Sequence, residues 1–186
     1  MVSLTALWVP IVLSAAAIFI ASSVIHMVFK YHNSEYNQLP DEANVLETMR
    51  SAKVGPGFYS FPYAGDMKEM GSPEMLEKYA NGPMGTMNIN PNGPPAMGKA
   101  LGLWFAYTLV VGFFVAYVAS RTLAPGTHYH QVFRVVGATA FMAHSFAHNS
   151  DGVWKQKPWS MTFKHVLDGL VYALLTAGVF GWLWPA

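Results

Sequence analysis

The amino-acid sequence predicts an all-α membrane protein with four transmembrane helices and a small cytoplasmic α+β cap between helices 1 and 2. Three observations predict this fold. Apolar residues make up 53% of the 186 residues and charged residues only 11%, whereas about a quarter of a soluble domain is charged. Several apolar segments are long enough to cross a hydrocarbon core of about 30 Å. A long polar segment, rich in glycine and proline, separates the first two of them.

The first predicted span covers residues 5–29. No basic residue precedes it, and its apolar run is longer than that of a secretory signal, so we expect a retained helix. Residues 100–120 and 161–184 also qualify as spans. Residues 131–148 are less apolar because they include Arg134, His144 and His148. Such residues are tolerated where they face the interior of a bundle. The sequence therefore favours four spans, and a three-span arrangement with a re-entrant third segment is the alternative.

The basic residues predict the orientation. In the four-span arrangement only Arg121 and Arg134 lie on one side, and every other lysine and arginine lies on or near the opposite side. The positive-inside rule places residues 30–99 and 149–160 in the cytoplasm and both termini outside. The chain is therefore expected to cross the membrane several times.

The predicted cap, residues 30–99, contains two helix signals and two short extended pieces. Pro40-Asp41-Glu42 is typical of a helix start, and so is Ser72-Pro73-Glu74. Residues 57–62 and 86–90 have the pattern of short strands. The cap is too small to bury a large core, so we expect it to pack against the spans or a partner.

Small residues recur every four positions in two of the spans. This spacing lets helix backbones approach closely, which is how membrane helices associate. The stripes indicate helix packing within the chain and, in part, a homo-oligomer or a complex with other membrane subunits. They comprise Gly112, Ala116 and Ser120 in the second span, and Gly169, Ala173, Ala177 and Gly181 in the fourth.

Asp168 is the most informative single residue. A carboxylate inside an apolar span costs about 2.5–3.5 kcal/mol on insertion scales, so it normally has a partner or a task. The four-span arrangement brings histidines to a similar depth, and imidazoles with a carboxylate form metal sites. Facing histidines also ligate haem iron. The candidate metal ligands are His26, His144, His148, His165 and Asp168.

The alternative interpretation of this cluster is structural, with polar side chains that hydrogen-bond one another between helices. No sequence motif predicts a cofactor, and iron, copper and haem remain open at the cluster. Six methionines between residues 67 and 97 could suit Cu(I), but methionine also fills small irregular cores, which is the interpretation we favour. His128 and His130 are expected to be solvated loop residues. The chain has no cysteine, and its net charge of +1 argues against nucleic acid as a partner.

Several stretches resemble a family of small bacterial cytoplasmic-membrane proteins of uncharacterised function. The resemblance rests on Trp159–Lys164, Asp168-Gly-Leu, Tyr172–Gly178 and Gly181–Pro185, together with Leu123–Tyr129 and Gly93–Met97. It implies a bacterial membrane protein and no particular activity.

No catalytic constellation is present, so the sequence favours a non-enzymatic role. The first functional hypothesis is an accessory or scaffold protein that packs into an oligomer or a larger membrane complex. The second is a metal- or haem-binding redox membrane protein that uses the His/Asp cluster. A weaker third is a path for protons or small solutes, because intramembrane aspartate and histidine also act as relay groups.

Overall fold

The computed structural model describes residues 1–186 and is mostly helical, with one two-stranded sheet. It divides into two compact units. One contains Met1–Tyr36 and Ala96–Ala186, and the other contains Asn37–Pro95. The predicted fold class is confirmed in its coarse form, as a mostly helical protein with three helices that are candidate membrane spans and a small two-stranded sheet.

Four long helices form the larger unit. Helix α1, Trp8–Val24, follows a 3-10 turn at Leu4–Leu7. The others are α5, Met97–Thr122, α6, Tyr129–Trp154, and α7, Trp159–Trp182. Three segments are long and apolar enough to cross a membrane: Leu4–Phe29, Met97–Thr122 and Trp159–Trp182. Helix α6 matches α5 in length but is not among them, so four spans are not established by length and composition.

The helices pack as a bundle in which α6 and α7 form the most extensive pair. Helix α1 packs against both α5 and α7, and α5 also packs against α6. Small and β-branched residues dominate the shared core, including Val115 and Ala119 of α5 and Val132 and Val136 of α6, and the larger Phe180 of α7 packs among them. Many large apolar side chains on the outer faces are exposed, as expected of surfaces that meet lipid.

Both small-residue stripes are buried inside this bundle. On α7, a Cβ at Gly169 would overlap Ser145 Oγ and lie 3.2 Å from the His144 carbonyl carbon of α6, and one at Gly181 would press on the Tyr129 ring. Ala173 and Ala177 are buried between them. On α5, Gly112 faces Ile11 of α1, and Ala116 and Ser120 are buried. The stripes therefore serve contacts within one chain.

The chain termini and the α5–α6 loop lie at one end of the bundle. The Gly126 N–H donates to the Pro185 carbonyl at 2.8 Å, and Trp184 Nε1 donates to the Ala124 carbonyl at 3.0 Å. Leu7 is buried in the core near the N-terminus. Because the helices run antiparallel, the end of the first span, the start of α5 and the α6–α7 loop lie at the opposite end.

The smaller unit contains three helices and a pair of strands, with two of the helices between the strands in the chain. Its elements are α2 (Glu42–Ser51), β1 (Gly57–Phe61), α3 (Met67–Met70), α4 (Pro73–Asn81) and β2 (Gly85–Ile89). The strands pair antiparallel, with Gly57 opposite Ile89 and Phe61 opposite Gly85. Side chains cap α3 and α4: Asp66 accepts from the Glu69 N–H, and Ser72 accepts from the Met75 N–H.

This unit has almost no core of its own. Met75 is its one buried residue, whereas Met67, Met70 and Met84 are exposed. The unit, residues 37–95, is also shorter than the predicted segment 30–99, because the structure assigns residues up to Tyr36 to the bundle. Residues 30–36 therefore belong to the bundle, and some of them reach Asp168.

The close approach of α6 and α7 predicts that Gly169→Ala destabilises the bundle by about 1–3 kcal/mol, since the added methyl group would overlap the Ser145 hydroxyl and lie 3.2 Å from the His144 backbone. The measurement is unfolding in detergent. Gly102→Ala is the matched control, because a Cβ there meets no atom within 4 Å. Equal stability of the two variants would contradict the observed α6–α7 packing.

Candidate metal centre

The end of the first span is shaped to turn the chain back onto α7. Helix α1 widens into a π-helical turn at Ile25–Phe29, and Lys30 then adopts a left-handed conformation with φ 53°. A 3-10 turn, Tyr31–Glu35, follows and packs against α7. Single π-helical turns are frequent at functional sites, and a left-handed non-glycine residue is uncommon. Together they return the side chains of Tyr31, His32 and Glu35 to the bundle.

Asp168 of α7 is buried and receives two of these side chains. Tyr31 donates its hydroxyl hydrogen to Asp168 Oδ1, and His32 Nε2 lies 2.8 Å from Oδ2. The Asp168 residue is only 3% exposed. Both carboxylate oxygens therefore have partners, which offsets much of the cost of holding this group among apolar helices.

His32 lies between two carboxylates. Its Nδ1 is 2.5 Å from Glu35 Oε1, while its Nε2 contacts Asp168. A carboxylate can only accept, so both bonds form together when both ring nitrogens carry hydrogen. Lys164 holds the turn in place, since its Nζ donates to the Tyr31 carbonyl at 2.9 Å and to Ser34 Oγ at 2.6 Å. Its charge also lies 4.0 Å from Glu35.

Four imidazole rings form a column through this network. His26 stacks on His32 with a centroid separation of 4.7 Å, and His32 stacks on His165 at 5.0 Å. His148 of α6 stacks on the other face of His165 at 4.6 Å. His165 Nε2 is also 3.4 Å from Glu35 Oε2. The column links the first span, the 3-10 turn, α7 and α6.

Two groups of three ligand atoms lie close enough to hold an ion. One is His26, His32 and Asp168, and the other is His32, Glu35 and His165, with the atoms of each group within 4.8 Å of one another. Ligands about 2.1 Å from an ion are roughly 3–4 Å apart. Binding an ion would therefore draw these atoms together, turn the imidazoles out of their stacks on His32 so that their nitrogens point at the ion, and remove the hydrogen from the ligating nitrogen of His32. Imidazole and carboxylate donors suit iron, manganese and zinc rather than Cu(I). His32 belongs to both groups.

The predicted ligands are only partly brought together. His26, His165 and Asp168 join the two groups, and His148 contacts them through His165. His144 lies apart, between the rings of Tyr107 and Tyr172, at 5.9 and 5.5 Å. The sequence interpretation missed Tyr31, His32 and Glu35, because the apolar run ends at Phe29 and these residues were assigned to the cap. The available signal was a histidine and a glutamate three residues apart directly after a span.

The loop histidines stay outside this centre. His128 and His130 are exposed and contact each other with ring centroids 5.2 Å apart. His128 caps α6, since its Nδ1 accepts from the His130 N–H at 3.3 Å. Neither belongs to a group that could hold an ion.

A large cavity opens beside the centre. Its volume is about 1210 Å³, and residues from α1, the π-helical turn, α5, α6 and α7 line it. All five sequence-predicted ligands line it, and three of them, His26, His165 and Asp168, belong to the groups that could hold an ion. The centre is thus enclosed by the 3-10 turn on one side and faces open space on the other.

No family model matches the chain, and comparisons with curated proteins and with solved structures find no match either. The functional argument therefore rests on the geometry of this centre.

The buried network predicts that Asp168→Asn lowers the free energy of unfolding of chelator-treated protein by about 1–3 kcal/mol, since the charged acceptor for His32 and Tyr31 is removed. Asp151→Asn is the control. Lys155 and Lys157 hold the pKa of Asp151 at about 2. These ion pairs are partly exposed, so their loss should lower the free energy of unfolding by less than about 1 kcal/mol. Denaturant titration checks both, and similar losses would refute the special role of Asp168.

Proposed function

We propose that this protein is an integral membrane protein that binds a metal ion between the 3-10 turn and α7. The observation that carries the proposal is His32, whose two ring nitrogens reach Asp168 and Glu35 and whose ring stacks on His26 and on His165. Three separate elements supply these donors. The second hypothesis from the sequence, a metal-binding membrane protein, is therefore the one that the geometry supports best.

The number of donors favours an ion over a purely structural network. A buried carboxylate needs hydrogen-bond partners, and Tyr31 and His32 already satisfy Asp168. Glu35 satisfies the other ring nitrogen of His32. Neither hydrogen bond calls for His26 or His165, yet their ligand atoms lie within 4.8 Å of the same histidine. Burying a second carboxylate adds a further desolvation cost. A divalent cation would offset the cost of both carboxylates.

The donor set favours an ion over a haem held between His26 and His32. A porphyrin ligated by two histidines lies between them, with both imidazoles pointing at the iron. His26 and His32 instead stack face to face at 4.7 Å with an interplanar angle of 3°. That spacing leaves no room for a macrocycle between them. Iron, manganese and zinc fit the imidazole and carboxylate donors, and such an ion would supply Lewis-acid chemistry or, for iron and manganese, electron transfer.

The membrane arrangement that goes with this proposal has α6 as a fourth crossing helix over residues 131–148. Its support is that α6 is 26 residues long and packs against both α5 and α7, which are apolar enough to span. Polar residues are tolerated in a span when neighbouring helices cover them. The basic residues then favour a cytoplasmic small unit and outside termini. A bacterial inner membrane rests on the resemblance described above.

The accessory or scaffold function remains a prediction. Its main support in the sequence was the two small-residue stripes, and both are used for packing inside the bundle. A homo-oligomer or a complex with other subunits would need different surfaces.

The metal proposal is tested on full-length protein purified in mild detergent, stripped with chelator and then incubated separately with Fe²⁺, Mn²⁺ and Zn²⁺. We expect about one ion or more per chain after desalting, measured by elemental analysis. His32→Ala should abolish retention, because His32 belongs to both candidate groups. His128→Ala and His130→Ala serve as controls and should retain the ion. Full retention by folded His32→Ala protein, or no retention by the parent protein, would overturn the proposal.

The topology is tested with single cysteines, since the chain has none of its own. In the four-span arrangement, Ser60→Cys and Ser160→Cys react with a membrane-impermeant maleimide from the same side, and Ala124→Cys reacts from the opposite side. In the three-span alternative, Ala124→Cys and Ser160→Cys share a side. Labelling of intact cells and of inverted vesicles separates these outcomes.

A further inference from the structure

The cavity beside the candidate metal centre is built from the membrane-spanning part of the chain. Its wall comes from the end of the first span, the first three turns of α5, and facing segments of α6 and α7. Ligand pockets in proteins typically have volumes of about 300–1,000 Å³. The volume here, about 1210 Å³, is enough for a head group together with a hydrocarbon chain.

The wall of the cavity is polar at one side and apolar at the other. His26, His165 and Asp168 provide polar groups next to the candidate centre. Met27, Met97, Leu101 and Leu103 also line it, and these side chains are exposed on the outer surface of the bundle. A molecule that enters past these apolar residues comes from the lipid, since such residues in a spanning helix face hydrocarbon.

His144 supplies an independent sign that this cavity takes a ligand. It lines the cavity, only 6% of the residue is exposed, and its Nε2 is the one buried side-chain nitrogen or oxygen in the protein without a hydrogen-bond partner. Leaving such a group unpaired costs about 1–3 kcal/mol, so native structures rarely do so without a reason. Tyr107 and Tyr172 pack edge-to-face against the imidazole. Tyr107 itself is already bonded to the Ala143 carbonyl.

We propose that the cavity binds a single-chain amphiphile from the membrane whose head group carries a carbonyl or hydroxyl oxygen. The imidazole of His144 turns toward the cavity, since its Nε2 is buried in this structure, and pairs there with the head-group oxygen. The chain leaves between the apolar residues of α5 and the first span. Binding itself does not depend on the proposed function. The position of the head group beside a metal ion does, because three candidate ligands share the cavity wall.

Trp104 makes this proposal measurable. It lines the cavity, and its Nε1 donates to Ser22 Oγ at 3.0 Å, which holds the indole in place. Two quenchers of tryptophan fluorescence carry the required head groups and distinguish the two sources of such a ligand: decyl-ubiquinone for a quinone and dibromostearic acid for a fatty acid. The full-length protein, delipidated and reconstituted into nanodiscs, is titrated with each.

We expect saturable quenching by at least one probe, and its loss in Trp104→Phe. His144→Phe keeps the ring but removes the nitrogen, so it should weaken binding by roughly tenfold. Ala100→Phe places a large side chain in the cavity wall and should abolish saturable quenching. Ala106→Phe is its matched control, because Ala106 is exposed on the same helix and does not line the cavity.

The outcomes separate this inference from the metal proposal. Non-saturable quenching by both probes, or unchanged affinity in folded His144→Phe and Ala100→Phe proteins, would overturn the ligand inference. Metal content is measured on the same preparations, and we expect His144→Phe to retain the ion, since His144 belongs to neither candidate group. Conversely, His32→Ala should lose the ion and keep saturable quenching. A protein that binds a probe but no ion refutes the metal proposal alone.

Discussion

Burial of the Asp168 carboxylate is the constraint on which this end of the molecule depends. A charged group inside an apolar helix must be paired, because water is not available to solvate it. The pairing comes from the chain that immediately follows the first span. This explains why α1 does not simply run out into the small unit: it widens into a π-helical turn, reverses at Lys30, and returns Tyr31 and His32 to α7. Lys164 then fixes that turn from α7 itself.

The same position on α7 also determines how closely α6 can approach. Gly169 directly follows Asp168, and its lack of a side chain lets the backbone at His144 and the Ser145 hydroxyl lie against it. That approach brings His148 onto the face of His165 and leaves His144 beside the cavity. The helix seam and the polar centre are therefore one arrangement. A change that separates α6 from α7 would displace two histidines as well as weaken packing.

Much of this could be predicted from the sequence, and the limits have physical causes. Asp168, His26 and His165 stood out because polar groups in apolar segments are costly, and the small-residue stripes followed from their spacing. His32 and Glu35 could not be placed, because hydropathy falls at Lys30 and a left-handed lysine gives no signal of the kind that a glycine would. His144 and His148 share a helical face, as their spacing of four predicts. They lie one helical turn apart, about 5.4 Å. His148 nevertheless stacks on His165, whereas His144 has a ring nitrogen without a hydrogen-bond partner.

The residues on the two sides of His32 indicate how a metal ion could be both held by the protein and accessible to a ligand. Glu35 and the 3-10 turn lie on the side of His32 that the protein closes, with the Glu35 side chain only 3% exposed. His26 and Asp168 border the cavity. Metal sites that only stabilise a fold are enclosed by protein ligands, whereas sites that act on a ligand keep a coordination position open. His26, His32 and Asp168 would offer an ion three protein donors, and two of these residues border a cavity whose wall includes exposed apolar side chains. This arrangement favours a site that acts on a membrane-soluble molecule over one that merely joins helices.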